Sequence, residues 1–197
     1  MSRKFAALPD TRGMNSSQKR MWLTLRFLVI LLVLSIPLYL AIALGINLMP
    51  MQVAVAGQAG WILKSLGYDV TMDGPAMSVD SAGSSPFMFY INEDCTGWKS
   101  MLLLFALIAS YPGVSLDRRL WGLVPGIAAL WLVNLGRVVG VVLAERAYGF
   151  STAMFIHDFG WQAGLIAAVL GIWIIWIIWA GRKKTTLWQR IARRWRA

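Results

Sequence analysis

Four long apolar stretches, at about residues 27–49, 98–111, 121–143 and 159–180, constrain this chain more than any other feature. A helix that crosses the hydrocarbon of a bilayer needs about 20 mostly apolar residues. The chain therefore reads as an all-α integral membrane protein with about four transmembrane helices, the second short unless it begins near Cys95. Composition agrees, because 58% hydrophobic and 14% charged residues are too apolar and too charge-poor for an ordinary soluble domain. The first stretch is too long for the core of a signal peptide, and no convincing small-residue cleavage site follows it. It is read as a retained anchor.

The net charge of +10 invites a nucleic-acid reading, but its distribution argues against one. Arg3, Lys4, Arg12, Lys19, Arg20 and Arg26 precede the first stretch, and Arg118 and Arg119 separate the second from the third. Arg182, Lys183, Lys184, Arg190, Arg193, Arg194 and Arg196 follow the fourth. With both termini cytoplasmic, all of these lie inside, which is the positive-inside pattern. Lys64, Lys99, Arg137 and Arg146 are left over. The basic ends then serve topology and contact with anionic lipid, and the tail TTLWQRIARRWRA suits an interfacial amphipathic helix.

Three regions follow: a basic cytoplasmic arm at residues 1–26, a membrane domain at 27–180 with an extracytoplasmic segment at 50–94, and a basic cytoplasmic tail at 181–197. Within the extracytoplasmic segment, Val53, Val55, Ala56, Ala59, Ile62, Leu63 and Leu66 recur at helical spacing. They predict an amphipathic helix on the outer membrane surface that ends at Gly67. Beyond it, residues 68–72 and 87–91 are β-prone runs separated by DGP and SAGSS turn signals, predicting a small β-like cap. The loops YPGVSLDRR and ERAYGFSTAMFIH are short, so adjacent spans pack as antiparallel neighbours.

This topology brings distant polar residues to one depth. Cys95 lies at the outer end of the second span, and His157, the only histidine, at the outer start of the fourth. Arg137 is about 24 Å along the third span at 1.5 Å per residue, in the outer part of the bilayer. An arginine there costs several kcal/mol on insertion scales and faces a cavity or a partner, unless it snorkels to the headgroups. Asn134, at i−3, shares its face and is placed to orient the guanidinium; the alternative is a plain polar helix contact. Gly136, Gly140, Gly160 and Gly164 have the spacing that lets helices approach closely.

A single cysteine excludes an intramolecular disulfide. Cys95 needs its thiolate to act as a nucleophile. Lys99 at i+4 and Arg137 favour that form, whereas Glu93 and Asp94 oppose it if they face the thiol. One cysteine and one histidine without ligand-pair spacing give no metal site, and nothing implies a cofactor.

CTGWKS at residues 95–100, NLGR at 134–137 and HDFG at 157–160 resemble the three motifs of the exosortase/archaeosortase family, in the same order and each at a membrane span. The resemblance covers roughly residues 50–175. It implies a membrane cysteine transpeptidase or protease with Cys95, Arg137 and His157 as catalytic residues. Its partners are exported proteins with a C-terminal sorting tail, cut on the extracytoplasmic side of a prokaryotic cell membrane and passed to a lipid or glycan acceptor. Many family members have about eight spans, so this chain is similar to a compact core. The competing reading is a non-enzymatic membrane scaffold or assembly subunit in which Arg137 holds an acidic residue of a partner.

Overall fold

The structure, a computed structural model, describes residues 13–80 and 86–181. The first twelve residues of the basic arm, the SAGSS turn and the tail assigned to an interfacial helix lie outside the described residues.

The first helix, α1 (Ser16–Ala43), starts where the sequence supplies a reciprocal cap. The Asn15 side chain accepts from the Gln18 N–H at 2.8 Å, and the Gln18 side chain accepts from the Asn15 N–H at 2.9 Å, which satisfies two of the orphan donors of a helix start. None of its residues is buried, and Leu28, Leu32, Val33 and Ile36 stand out from the protein. A helix that is apolar all round and leaves most of that surface uncovered by protein requires lipid around it. The first apolar stretch does not stay helical to residue 49. Gly45 takes φ +57, a conformation costly for other residues, and Pro50 in the first turn of the next helix fixes a new start.

That next helix, α2 (Met49–Ser65), ends at Gly67 as its sequence predicts. Gly67 has φ +91, its N–H reaches the Lys64 carbonyl at 3.0 Å, and the Tyr68 N–H reaches that of Leu63 at 3.1 Å, the Schellman arrangement. Its apolar face is used differently from the expectation. Val55, Ala56, Ala59 and Leu63 are buried within the protein, while Val53 and Leu66 remain exposed. The spacing identified the buried face, but a small sheet and a neighbouring helix cover it in place of lipid.

The sheet has three antiparallel strands in sequence order, β1 (Asp69–Asp73), β2 (Ala76–Asp80) and β3 (Phe87–Tyr90). The middle strand is the one the propensity reading missed. Met77 and Val79 of β2 point into the core and alternate with Ser78, the half-buried pattern of a strand, but AMSVD is too short and too mixed to announce itself.

Next come α3 (Trp98–Ser110), α4 (Leu116–Tyr148), α5 (Phe150–Phe155) and α6 (Trp161–Gly181), with a single π-helical turn, Ile156–Gly160, joining the last two. Among the described residues, three helical runs are long and apolar enough to cross a membrane: Ser16–Ala43, Leu116–Tyr148 and Phe150–Gly181. At 13 residues, α3 is about 20 Å long, shorter than the roughly 30 Å of hydrocarbon. The chain is a mostly helical membrane protein.

Two apolar cores share α4. One packs α3, α4 and α6 around Leu104, Ile108, Leu130, Val169 and Trp176. The other packs α2 and the sheet on Leu135, Val138, Val139 and Val142 of α4. Asn134 and Arg137 are buried on the same helix beside these residues. Helix approach does depend on glycine, though at other positions than the spacing suggested. A Cβ on Gly122 would collide with the Trp176 ring and one on Gly126 would lie 2.9 Å from Leu104, whereas Gly136 has nothing within 4 Å and Gly140 only Trp161 at 3.4 Å. Gly160 and Gly164 meet only residues of their own helical run.

Arg118 and Arg119 have a structural use beyond topology. Arg118 donates to the Ala180 carbonyl at 2.7 Å, and Arg119 donates to those of Ala109 at 2.5 Å and Tyr111 at 2.9 Å. Ala109 and Tyr111 lie at the end of α3, whose last carbonyls have no partner inside the helix and carry the negative end of its dipole. The pair ties three helices together at the end of α4 opposite the sheet.

Candidate active site

Cys95 sits on a single 3₁₀ turn, Glu93–Thr96, between β3 and α3. The turn is set by Asn92, whose side chain accepts from the Cys95 N–H at 3.1 Å, the local capping that Asn offers more readily than most residues. Thr96 returns its hydroxyl to the Glu93 carbonyl at 2.8 Å. Gly97 then turns the chain into α3 with φ +74. A Cβ there would lie 2.9 Å from Cγ of Asn134. Gly97→Ala therefore meets both a left-handed backbone, which costs about 1–2 kcal/mol for an L-residue, and a side chain it must displace. The expected result is a lower unfolding temperature in detergent together with a changed rate of Cys95 alkylation.

From α4, Asn134 donates Nδ2 to the Cys95 carbonyl at 2.7 Å. It positions the cysteine backbone instead of orienting Arg137, as the i−3 spacing had suggested; both residues share a face, but that face meets the cysteine turn. Asn134 is 1% exposed, so this bond forms away from water. Arg137, 6% exposed, spans the site. One terminal nitrogen donates to the Asp94 carbonyl at 3.2 Å, and the other lies 3.1 Å from His157 Nε2.

His157 comes from the π-helical turn, a local widening frequent at functional sites. Its Nδ1 lies 2.9 Å from Asp158 Oδ1. A guanidinium can only donate, so Nε2 must accept from it and the ring proton rests on Nδ1, facing the carboxylate. Both ring nitrogens are thereby assigned. Asp158 and Asn92 are the two residues that sequence reasoning left without a role. The adjacency of Asp to His, and an Asn three residues before the Cys, were the available signals.

Cys95, Arg137 and His157 line one cavity of about 220 Å³, whose other walls come from β3, α4 and α5 and include Phe87, Phe89, Val142, Phe150 and Met154. The structure thus brings the three together. Lys99 is placed apart. Its ammonium pairs with the Asp94 carboxylate at 2.5 Å, both side chains well exposed, so it offsets the nearby negative charge without touching the cavity. Among the described residues, no group of three His, Cys, Asp or Glu could hold a metal ion.

Because it is buried, the Cys95 thiol, on its turn outside the long helices, titrates above its ordinary value. Arg137 and a backbone hydrogen bond from Asn92 pull the other way, and Asp94 adds to the rise. The sequence reading weighed opposing charges and left their balance open; desolvation outweighs them. The resting group is the thiol, so a base must take its proton. Alkylation of Cys95 by a small neutral reagent should accordingly rise with pH through a midpoint above the usual value of about 8.5. Removing the cation in Arg137→Gln should move the midpoint higher, and removing the anion in Asp94→Asn should move it lower. Midpoints that shift in the opposite senses would contradict this electrostatic picture.

A family model described as transmembrane exosortase matches residues 14–177, which include all three motifs. No curated protein and no solved structure matches the chain.

Proposed function

The chain belongs to the transmembrane exosortase family, and from that premise we propose that it is a membrane cysteine transpeptidase acting on the C-terminal sorting tails of exported proteins. The observation that carries the reading is the Arg137 guanidinium, which spans the Asp94 carbonyl and His157 Nε2 at the wall of the cavity that Cys95 also lines.

His157 Nε2 takes the thiol proton of Cys95, and the new imidazolium keeps its Nδ1–H on Asp158. Guanidinium and imidazolium are now both donors, so their mutual contact is lost and an Arg137 N–H group is freed. The thiolate attacks the scissile amide carbonyl, forming a C–S bond, and the charge that develops on oxygen meets that N–H. Collapse breaks the C–N bond while the Nε2 proton passes to the leaving amine. The tail departs, and the protein remains as a thioester on Cys95. A hydroxyl or amine of a lipid or glycan acceptor, losing its proton to His157, then displaces the sulfur and the thiol is restored.

Orientation follows from charge. Arg118 and Arg119 tie the start of α4 to the end of α3 and to Ala180 of α6, and Phe27 of α1 stacks on Trp173 of α6 at 6.1 Å. Arg118 and Arg119 thus lie at one end of the bundle and the cysteine turn and sheet at the other. With the basic end cytoplasmic, residues 27–180 form one membrane domain, α3 acts as a short fourth span, and the site opens outward.

The test is an exported reporter bearing a short motif, an apolar helix and a basic cluster at its C-terminus, taken from the same host. The expected result is a shortened reporter with the parent and full length with His157→Ala. Equal processing in both would remove the proposed acid and base.

A further inference from the structure

The substrate backbone has a specific place to bind. Residues 87–92 all line the cavity that contains Cys95. Side chains alternate between the two faces of a strand, so successive residues border a single space only when that space runs along the strand edge. The edge in question is open: β3 pairs with β2 on one side and, among the described residues, with no strand on the other. The ladder shows which groups point there. The Ile91 N–H donates to the Pro75 carbonyl at 3.0 Å, so the residues of the same parity, Phe89 opposite Met77 and Phe87 opposite Val79, face β2. The N–H and C=O groups of Met88 and Tyr90 point to the open edge.

Resting on the transpeptidase reading, we propose that the extended segment preceding the scissile bond binds as a fourth strand along β3, hydrogen-bonded to the backbone of Met88 and Tyr90. The segment after the bond leads into the apolar helix of the tail and cannot be extended for long, so the acyl side is the one that takes the strand form. The turn at Asn92 carries the chain from that edge to Cys95, which places a carbonyl at the end of the added strand beside the thiol. Phe87 and Phe150, packed edge to face at 6.5 Å, bound the cavity and select apolar side chains. Arg146 holds this wall from behind, donating to the Val79 carbonyl with its guanidinium 5.9 Å over the Phe87 ring.

The experiment compares alkylation of Cys95 in the full chain by acetyl-Val-Val-Ala chloromethyl ketone, by the same peptide methylated on its backbone nitrogens, and by iodoacetamide, each rate divided by that with free cysteine. The unmethylated peptide should be favoured by roughly tenfold or more over the other two, the scale of one or two backbone hydrogen bonds. Met88→Pro and Tyr90→Pro, which remove an edge donor without touching the bonds to β2, should abolish that advantage, and Met88→Ala should keep it. If the proline variants do not fold, the methylated peptide on the parent still decides. Equal corrected rates for the two peptides overturn the strand addition while leaving the thiol chemistry standing. The transpeptidase reading itself fails separately, if Cys95→Ala still shortens the tailed reporter.

Discussion

Cys95→Ala is expected to abolish tail release, with a loss of at least about 10³-fold, while the protein keeps its fold. The size follows from the removal of the covalent route itself, since no other described side chain on the cavity wall is a strong nucleophile. Retention of fold follows from what the cysteine contributes to structure. The hydrogen bonds that hold its turn are made by backbone atoms, the N–H to the Asn92 carbonyl and side chain and the carbonyl from Asn134, and alanine keeps them; only the Asn92 backbone bond to the sulfur is lost. The sulfur borders an open cavity, so its loss leaves little new void. Reporter processing and unfolding in detergent, measured on the same preparation, check the two halves of this expectation. A variant that still processes would remove the thiol from the chemistry, and one that unfolds would make it structural.

Arg137→Lys should lower processing by about 10²–10³-fold, the usual cost of removing one preorganised oxyanion donor. The charge survives, but the planar fork does not. Arg137 holds the Asp94 carbonyl with one nitrogen and His157 with the other, and a single ammonium on a flexible stem cannot hold both while turning a donor toward the oxyanion. A split of observables distinguishes this role from plain electrostatics. The pH midpoint of Cys95 alkylation should stay near that of the parent, because a cation remains, while the rate of tail release falls. Processing at the parental rate would reduce Arg137 to a source of charge.

Much of this was legible because a bilayer imposes a ruler on the sequence. Apolar runs fix depth, basic residues fix direction, and together they set Cys95, Arg137 and His157 at one level despite their separation in the chain. Local stereochemistry was legible too, as at Gly67, because such signals depend on a few neighbouring residues. The misses share a cause: each depends on which element lies opposite. Helical spacing identified the apolar face of α2 but not its protein partners. Asn134 and Arg137 were placed on one face, yet only packing shows that this face meets the turn carrying Cys95. Glycine spacing suggested Gly136 and Gly140, whereas the bulk of Trp176 and Leu104 makes Gly122 and Gly126 the crowded positions. The charges around the thiol were legible, but their balance was not, because burial, which has no sequence period of its own at a turn, outweighs them.

The central claim is that Cys95 carries the substrate as a thioester within a site shared with Arg137 and His157. Hydroxylamine tests it most directly, since it intercepts a thioester and leaves a hydroxamate on the acyl group. Membranes containing the parent and a tailed reporter, treated with hydroxylamine, should yield a shortened reporter whose new C-terminus has the mass of a hydroxamate, and Cys95→Ala membranes should yield none. A shortened reporter that ends in a free carboxylate at every hydroxylamine concentration, or one that forms equally in Cys95→Ala, would contradict the account.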